Sequence, residues 1–514
     1  MEKDKRETQV MKKFFLIIVI LLVLVLLFLA GNEIYLAKTA TKISILYTSD
    51  IHGHILPEKH FNQETNSTFE TGGFGSLDTY IKGLFIPYIL LDAGDTFVGT
   101  PEGALKNGEA IIEIMNKVGY RGWGIGNHEL DRGLEFLENL IKKANFTAIA
   151  TNLVKKDGSP IKGTLPYAIF NVSGKRVAVV SVIEEDLEKV ISPQVSAQLK
   201  VLNVGDSVKR AIKELEGRYD VFVVLSGLGM DKDRELADEV QGIDLILGGE
   251  YHIPTPKPVF VKNTMIVSPG WALMYVGRVD LWLVDGKIKR KKWKLEKLSK
   301  GIYPASHIVE NVLLKYATPE YKKMNEVVGS AKDWILRKKG VSPESPLGNL
   351  ITDIMRRETG ADFAFQNQYG IRADIPPGNV KIRDLAMVSP FGNTIVTMKL
   401  TGAQIRELLK QSATEEKGIL QMSGLKMYFN SSLPEDRRLL NVIVNGKEID
   451  PEEEFLVATN SFLAHGGDGF KTFLEGKEIK DTKLKLLDAE IKYFKENSPI
   501  SAQREGRIID IMKD

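Results

Sequence analysis

Four short stretches of this sequence carry side chains that could hold divalent cations. Asp50-Ile51-His52-Gly53-His54 follows the apolar run KISILYT (42–48), and Gly94-Asp95-Thr96-Phe97-Val98-Gly99 follows YILLD (88–92). Gly126-Asn127-His128-Glu129-Leu130-Asp131 comes third, and Gly248-Gly249-Glu250-Tyr251-His252 follows IDLIL. Mixed carboxylate, imidazole and amide donors suit Mn, Zn, Fe or Mg without choosing among them. Two such ions about 3.5–4 Å apart clamp a phosphoryl group and acidify a water. An Asp and a His two residues apart at a strand end share one side of the pleat, so Asp50 and His52 are expected to enter one crevice. Alone, a DxH or a GDxxxG says little, because Gly-Asp pairs mark turns in many proteins. Asn-His-Glu in a glycine-led turn is harder to attribute to packing. Four such stretches in order, each after a strand-like run, point to one metal-binding site.

The elements that must position these residues are legible as apolar runs. Besides the two already named they include AVVSVI (178–183), VFVVLS (221–226), IDLILG (243–248), MIVS (265–268) and RVDLWLV (278–284). Unbroken Val, Ile and Leu suggest strands buried on both faces. Amphipathic stretches lie between several of them, GLEFLENLIKKA (133–144) and DSVKRAIKELE (206–216) among them. This alternation predicts an α/β sandwich with helices outside. The basic run KRKKWKLEKLSK (289–300) reads as a solvated edge where the chain leaves a first domain. Residues 306–326 read as a connecting helix interrupted at Pro319, and a second, α+β pattern starts near Pro343. A chain of 514 residues exceeds one hydrophobic core, which agrees with two domains.

Residues 14–30 form an unbroken apolar run preceded by Lys3, Lys5, Arg6, Lys12 and Lys13. At about 1.5 Å per residue, a helix of roughly 17 to 25 residues crosses a bilayer. The basic flank stays inside, so the body of the protein is expected outside the cytoplasm. It is anchored there at the face of the cytoplasmic membrane, or periplasmic or secreted if the run is a cleaved signal. The absence of cysteine removes disulfides and thiolate chemistry. A net charge of +2 gives no broad field for nucleic-acid polymers, so any anion specificity must be local.

Taken together, ILYTSDIHGH, DAGDTFVG, GNHELD and LILGGEYH resemble the 5′-nucleotidase and UDP-sugar hydrolase branch of the calcineurin-like metallophosphoesterases. The resemblance continues through SPLGNLITDIM (345–355), FQNQYGIR (365–372), SPFGNTIV (389–396) and LAHGGDGF (463–470). It implies an N-terminal four-layer α/β/β/α sandwich over 42–300 and a linker helix region over 301–342. A C-terminal α+β nucleotide-binding domain follows over 343–514, and 1–41 make up the tail, anchor or signal segment and spacer. It implies two divalent ions (Mn, Zn, Mg or Co): Asp50, His52, Asp95 and His252 hold the first, Asp95 bridges, and Asn127 ligates the second. His128 would face the phosphoryl group and Asp131 would orient it. Asn367 and Arg372 would meet phosphate or ribose oxygens, Phe391 and Phe462 would sandwich a base, and Asp468 would accept a bond from the nucleoside.

The sequence departs from the family in places. Gly227 stands where a histidine ligand is expected, and Glu250 stands in a segment that reads GGH in the family, where it could ligate through oxygen. Gln368 and Tyr369 replace glycines, and the basic contact expected before SPLGNLITDIM has no match, with Arg337, Lys338 and Lys339 merely nearby. The resemblance implies hydrolysis of nucleotide phosphate esters, with nucleotide-sugar or cyclic nucleotides as further substrates. Two alternatives stand beside it: a tethered nucleotide-binding protein with a degenerate second metal site, and a thiosulfohydrolase-like relative.

Overall fold

The computed structural model describes residues 14–25, 31, 35–36, 38–338, 342–414 and 418–512. Alternate residues of its central strands enter different cores, as a two-residue period requires. In Lys175–Ile183, Val177 and Val179 enter one apolar cluster, whereas Ala178, Val180 and Val182 enter another. Val221–Gly227 repeats this, with Val223 and Leu225 on one side and Phe222 and Val224 on the other. Each buried valine, leucine or phenylalanine among them contributes about 1.5–3 kcal/mol by leaving water.

The first of these clusters is shared by two sheets. A seven-stranded sheet runs Lys287–Lys297, Tyr275–Val284, Thr41–Thr48, Tyr88–Asp92, Gly122–Gly124, Thr147–Ile149, Thr164–Leu165. A six-stranded sheet runs Val259–Val261, Thr264–Val267, Leu245–Gly248, Val221–Gly227, Lys175–Ile183, Ala168–Val172. Ile43, Ile45 and Tyr47 of the first meet Val179, Val223 and Leu247 of the second. Helices Gly73–Lys82, Glu109–Val118 and Leu134–Ile141 cover the outer face of the seven-stranded sheet. Val204–Glu214 and Met230–Glu239 cover the other. This is the four-layer α/β/β/α sandwich. Thr41–Thr48 and Tyr88–Asp92 pair in parallel, Ser44 opposite Tyr88, so the stretches after both leave at the same edge.

The basic run, read as a solvated edge and an exit from the domain, forms a strand at the sheet edge, Lys287–Lys297, antiparallel to Tyr275–Val284. Its apolar members Ile288 and Trp293 pack on the shared core. A row of lysines along an edge discourages pairing with another chain.

The stretch expected as a link divides. Ile308–Tyr316 sends Val309 and Val312 into the first unit's core. Pro319–Lys323 begins with Pro319 and is capped by Thr318, whose hydroxyl accepts from the Tyr321 N–H. Val327–Ala331 already pairs with Gly378–Lys381, so hydrogen-bonded structure of the second unit begins there. That unit is built on a five-stranded mixed sheet, Leu420–Ser423, Phe363–Asn367, Glu454–Asn460, Thr394–Thr401, Lys477–Lys485. Pro346–Thr359 and Leu486–Asn497 pack against it.

Residues 14–25 are helical with every side chain exposed. The expected span over 14–30 lies partly outside the described residues, and among the described residues no helix is long and apolar enough to cross a membrane.

Candidate active site

Past their last residues, the strands Thr41–Thr48 and Tyr88–Asp92 stay joined by backbone bonds. Asp50 N donates to Gly94 O (3.0 Å), His52 N to Asp95 O (2.9 Å) and Gly53 N to Thr96 O (2.8 Å). Beneath this seam Asp92 accepts from the Thr48 and Thr96 hydroxyls and from Gly94 N. Burial pushes Asp92 up to about 7 even so. Glu129, fully buried, accepts from the backbone N–H of Asp95, Thr96 and Gly126 at 2.7–2.9 Å. Burial and the nearby Asp95 carboxylate push it up to about 8. One carboxyl group thus ties the third motif to the second.

Asp50 and His52 do share a crevice, but pleating is not the reason. Both lie beyond the strand with φ of 50° and 47°, and Asp95, Glu250 and His252 also have positive φ (56°, 64° and 55°). Left-handed backbone is uncommon for non-glycine residues and concentrates at functional sites. Gly126 shows how tightly the turn is packed: a Cβ there would lie 2.3 Å from Asp95 Oδ1.

Three overlapping sets of side chains have donor atoms within 4.8 Å of one another: Asp50, His52 and His252; His52, Asp95 and His128; Asp50, Asp95 and Glu250. The Nε2 atoms of His52 and His252 approach to 3.1 Å, and His252 Nε2 lies 3.4 Å from Asp50 Oδ1. His52 Nδ1 is 3.1 Å from the Val98 carbonyl oxygen, an acceptor that requires the proton on Nδ1 and turns the Nε2 lone pair inward. Burial, then the Arg372 guanidinium and the other imidazoles, hold His52 neutral by lowering its pKa well below the ordinary value. Burial and the Asp50 charge raise Asp95, against the pull of His128. Part of Glu250 is exposed, but desolvation of its carboxyl group beside Asp95 and Asp50 raises it well above the usual range. Asp50 Oδ2 is buried with no hydrogen-bond partner, which is costly unless something else neutralises it. Crowded carboxylates, inward imidazoles and an orphaned oxygen fit divalent cations.

Asn127 opens the short turn His128–Leu130, and its side chain takes no hydrogen bond among the described residues, leaving its oxygen free to ligate. Gly227 ends its strand without a side chain to offer, and a Cβ there would meet only the Val182 carbonyl, at 3.5 Å. His128 Nδ1 bonds Asp131 Oδ2 at 2.8 Å. Burial alone would lower this imidazole; the Asp131 carboxylate, followed by Asp95, outweighs it and raises His128 to about 9. The cation form is therefore present below that pH and lost as pH rises through it. In the metal-free protein Asp131→Asn is expected to move the midpoint down toward the ordinary value of about 6.5 or below. Imidazole NMR titration measures this, and a midpoint that stays put would remove Asp131 from the role.

The second unit reaches this cluster. Arg372 Nη2 lies 3.3 Å from His52 Nε2, and its guanidinium carbon is 6.0 Å from the Phe391 ring centre. Phe391 stacks on His128, centroids 6.1 Å apart. Asn367 donates to Asp468 Oδ2 (2.7 Å) and accepts from Asn460 (2.9 Å). Burial raises Asp468 to about 6, against the bond from Asn367. Phe462 packs closely on Gly467, where a Cβ would come within 2.4–2.6 Å of its ring atoms. Gln368 and Tyr369 are accommodated in a tight turn, Gln368–Gly370, with the Gln368 side chain accepting from Ile419 N.

Arg337 and Glu129 are among the residues that escaped the sequence reading. Arg337, dismissed as merely near, puts its guanidinium 4.8 Å from the centre of the Trp271 ring, and its Nη1 donates to the Arg372 carbonyl (3.0 Å). Nothing in an Arg-Lys-Lys run distinguishes the member that turns inward. Glu129 lay in plain view in GNHELD, its spacing from Asn127 and His128 being the available signal.

Residues 327–475 match the family described as 5′-nucleotidase, C-terminal domain. Over 92% of its length the chain superposes on all of a 5′-nucleotidase precursor from Thermus thermophilus, with 30% identity and a TM-score of 0.85. It is 28% identical over 530 residues to the trifunctional nucleotide phosphoesterase protein YfkN of Bacillus subtilis (strain 168), spanning 91% of this chain but 35% of that protein. It is 25% identical to a 5′-nucleotidase of Vibrio cholerae serotype O1, over 90% of this chain and 92% of the relative.

Proposed function

This chain belongs to the 5′-nucleotidase and UDP-sugar hydrolase family of calcineurin-like metallophosphoesterases, and from that premise we propose how its own residues divide the work. It is a phosphoric ester hydrolase acting on nucleotides. The observation that carries the assignment is the convergence of Asp50, His52, Asp95, His128, Glu250 and His252 from four separate stretches, with Arg372 of the second unit beside them.

Asp50, His52, Asp95 and His252 would hold one divalent cation, and Asp95, Asn127 and Glu250 would hold a second. Bound cations supply Lewis-acid polarisation of the phosphoryl oxygens and acidify a water. Glu129 and Asp92 keep the loops that carry these ligands in register. Arg372 and Arg337 present two guanidinium groups, whose planar forks suit phosphate oxygens. His128, held as a cation by Asp131, gives its Nε2 proton to the leaving oxygen or stabilises the charge that forms there. Asn367 and Asp468, bonded to each other, meet the nucleoside, while Phe391 and Phe462 hold the base. Nucleoside monophosphates and nucleotide-linked pyrophosphates are the substrates this arrangement suits.

The test is phosphate release from a nucleotide panel after Mn, Mg, Zn or Co is added to metal-free protein. No metal-dependent release from any nucleotide would overturn the reading. The base contact has its own test. Stacking contributes about 1–3 kcal/mol per base, so Phe462→Ala is expected to raise KM for nucleotides about 5- to 150-fold. KM for a small aryl phosphate, which has no base, should barely move. An equal rise for both substrates would take Phe462 out of the base contact.

We also propose that the catalytic body works outside the cytoplasm, tethered by residues 14–30, on the basic flank and apolar length of that run. Membrane fractions that release the protein to high salt without detergent would contradict the tether.

A further inference from the structure

Trp271 lies where the metal cluster and the second unit meet, and no sequence motif marks it. Its ring stacks on the imidazole of His252, with centroids 5.6 Å apart and planes 17° from parallel. The edge of His54 meets it at 5.2 Å and 82°, and His54 is itself held by Glu58 at 2.7 Å. The guanidinium of Arg337 lies 4.8 Å from the ring centre. Arg337 is anchored in turn by its own N–H to Asp374 Oδ1 (2.7 Å) and by Nη1 to the Arg372 carbonyl.

The turn that presents the indole is strained. Gly270, Ala272 and Leu273 all have positive φ (80°, 55° and 50°), and neither alanine nor leucine adopts that conformation unless held. What holds it belongs to the first metal-binding stretch. Ala272 N donates to Asp50 O (2.9 Å) and the Ser49 hydroxyl to Gly270 O (3.1 Å). The turn and the Asp50 loop are therefore one bonded piece, and the indole projects from it against His252. A stacked ring limits rotation of the imidazole, and a cation over the indole is attracted to its π face.

We propose that Trp271 is a positioning residue: it fixes the orientation of His252 toward a bound cation and is itself held in place by Arg337 when the second unit is seated. This rests on the assignment of His252 as a metal ligand made above. Residues that orient a ligand typically change metal affinity about 10- to 100-fold when removed.

The experiment is Co(II) titration of the metal-free full chain, followed by calorimetry and visible absorption, with thermal unfolding confirming that each variant folds. Trp271→Leu is expected to weaken the tighter cobalt site at least about tenfold and alter its spectrum, whereas Trp271→Phe, which keeps a flat ring, retains both. In a His252→Asn background, Trp271→Leu should have no further effect, because the residue it positions is gone. Additive losses in that double variant, or a Leu variant that binds cobalt like wild type, would overturn the proposal. Should the Leu variant fail to fold, Arg337→Met carries the test: it leaves the indole intact and should weaken cobalt binding several-fold, only while His252 is present. Unchanged binding in Arg337→Met, or an equal loss without His252, would also overturn it. A wild-type protein that takes up no cobalt rejects the metal assignment. Uptake unaffected by His252→Asn rejects His252 as ligand.

Discussion

Asp95→Asn is expected to lower phosphate release from AMP by about a thousandfold or more, without lowering the unfolding temperature. Asp95 belongs to two of the three sets of converging donors, and it also accepts the His128 N–H at 2.9 Å. Cation stabilisation of charge in phosphoryl transfer amounts to several kcal/mol, and each step of about 1.36 kcal/mol is tenfold in rate. Asparagine is a better probe than alanine. Its backbone tolerates the left-handed conformation observed at φ 56°, and its amide oxygen can still accept from His128. Alanine would add backbone strain to the loss of a ligand. Stability should not fall, because in the metal-free state the charge removed is one of three carboxylates crowded together. Turnover, bound metal per chain and the unfolding temperature would be measured on the same preparation. Near-normal turnover with normal metal content would sink the assignment of Asp95 as the shared ligand.

His128→Gln is expected to reduce kcat by about 10²- to 10⁴-fold, the usual yield of a positioned general acid, with bound metal unchanged. Two observations single it out, the Asp131 bond at 2.8 Å and its stacking against Phe391, and the Asp131 carboxylate favours the cationic form. A proton donor matters most where the departing oxygen is basic. The loss should therefore be large for AMP, whose leaving group is an alkoxide, and much smaller for p-nitrophenyl phosphate, whose leaving group needs no proton. Equal losses on both would assign His128 to charge stabilisation and not to proton donation.

Much of the scaffold was legible because its strands are buried on both faces and so read as unbroken apolar runs. Tyr88–Asp92 was located to the residue, and Lys175–Ile183 differs only where Lys175, Arg176 and Val177 extend it. Lys287–Lys297 was missed as a strand for the opposite reason: most of its residues are lysine or arginine at a sheet edge, and its contribution to the shared core comes from Ile288 and Trp293. At the site, residue types were legible and backbone shape was not. The DxH spacing suggested alternation in a pleat, whereas Asp50 and His52 converge through left-handed turns closed by bonds to Gly94 and Asp95. Such turns follow from partners far away in the chain, which local spacing does not encode. Arg337 and Trp271 were hidden likewise, since each acquires its meaning only from the other, across the boundary between units.

The divided link fixes how closely the two halves of the molecule are joined. Ile308–Tyr316 is rooted in the first core, while Met324 and Glu326 accept backbone bonds from Arg383 and Ile382 and so travel with the second sheet. Residues 317–323 between them form a short tether with a proline in it. Tyr321, midway along, also donates its hydroxyl to Glu102, which Arg383 meets at 3.1 Å from the other side. The contact of Arg383 with this nearly inaccessible carboxyl group therefore joins the two halves in the arrangement that sets Arg372 and Phe391 beside the metal cluster.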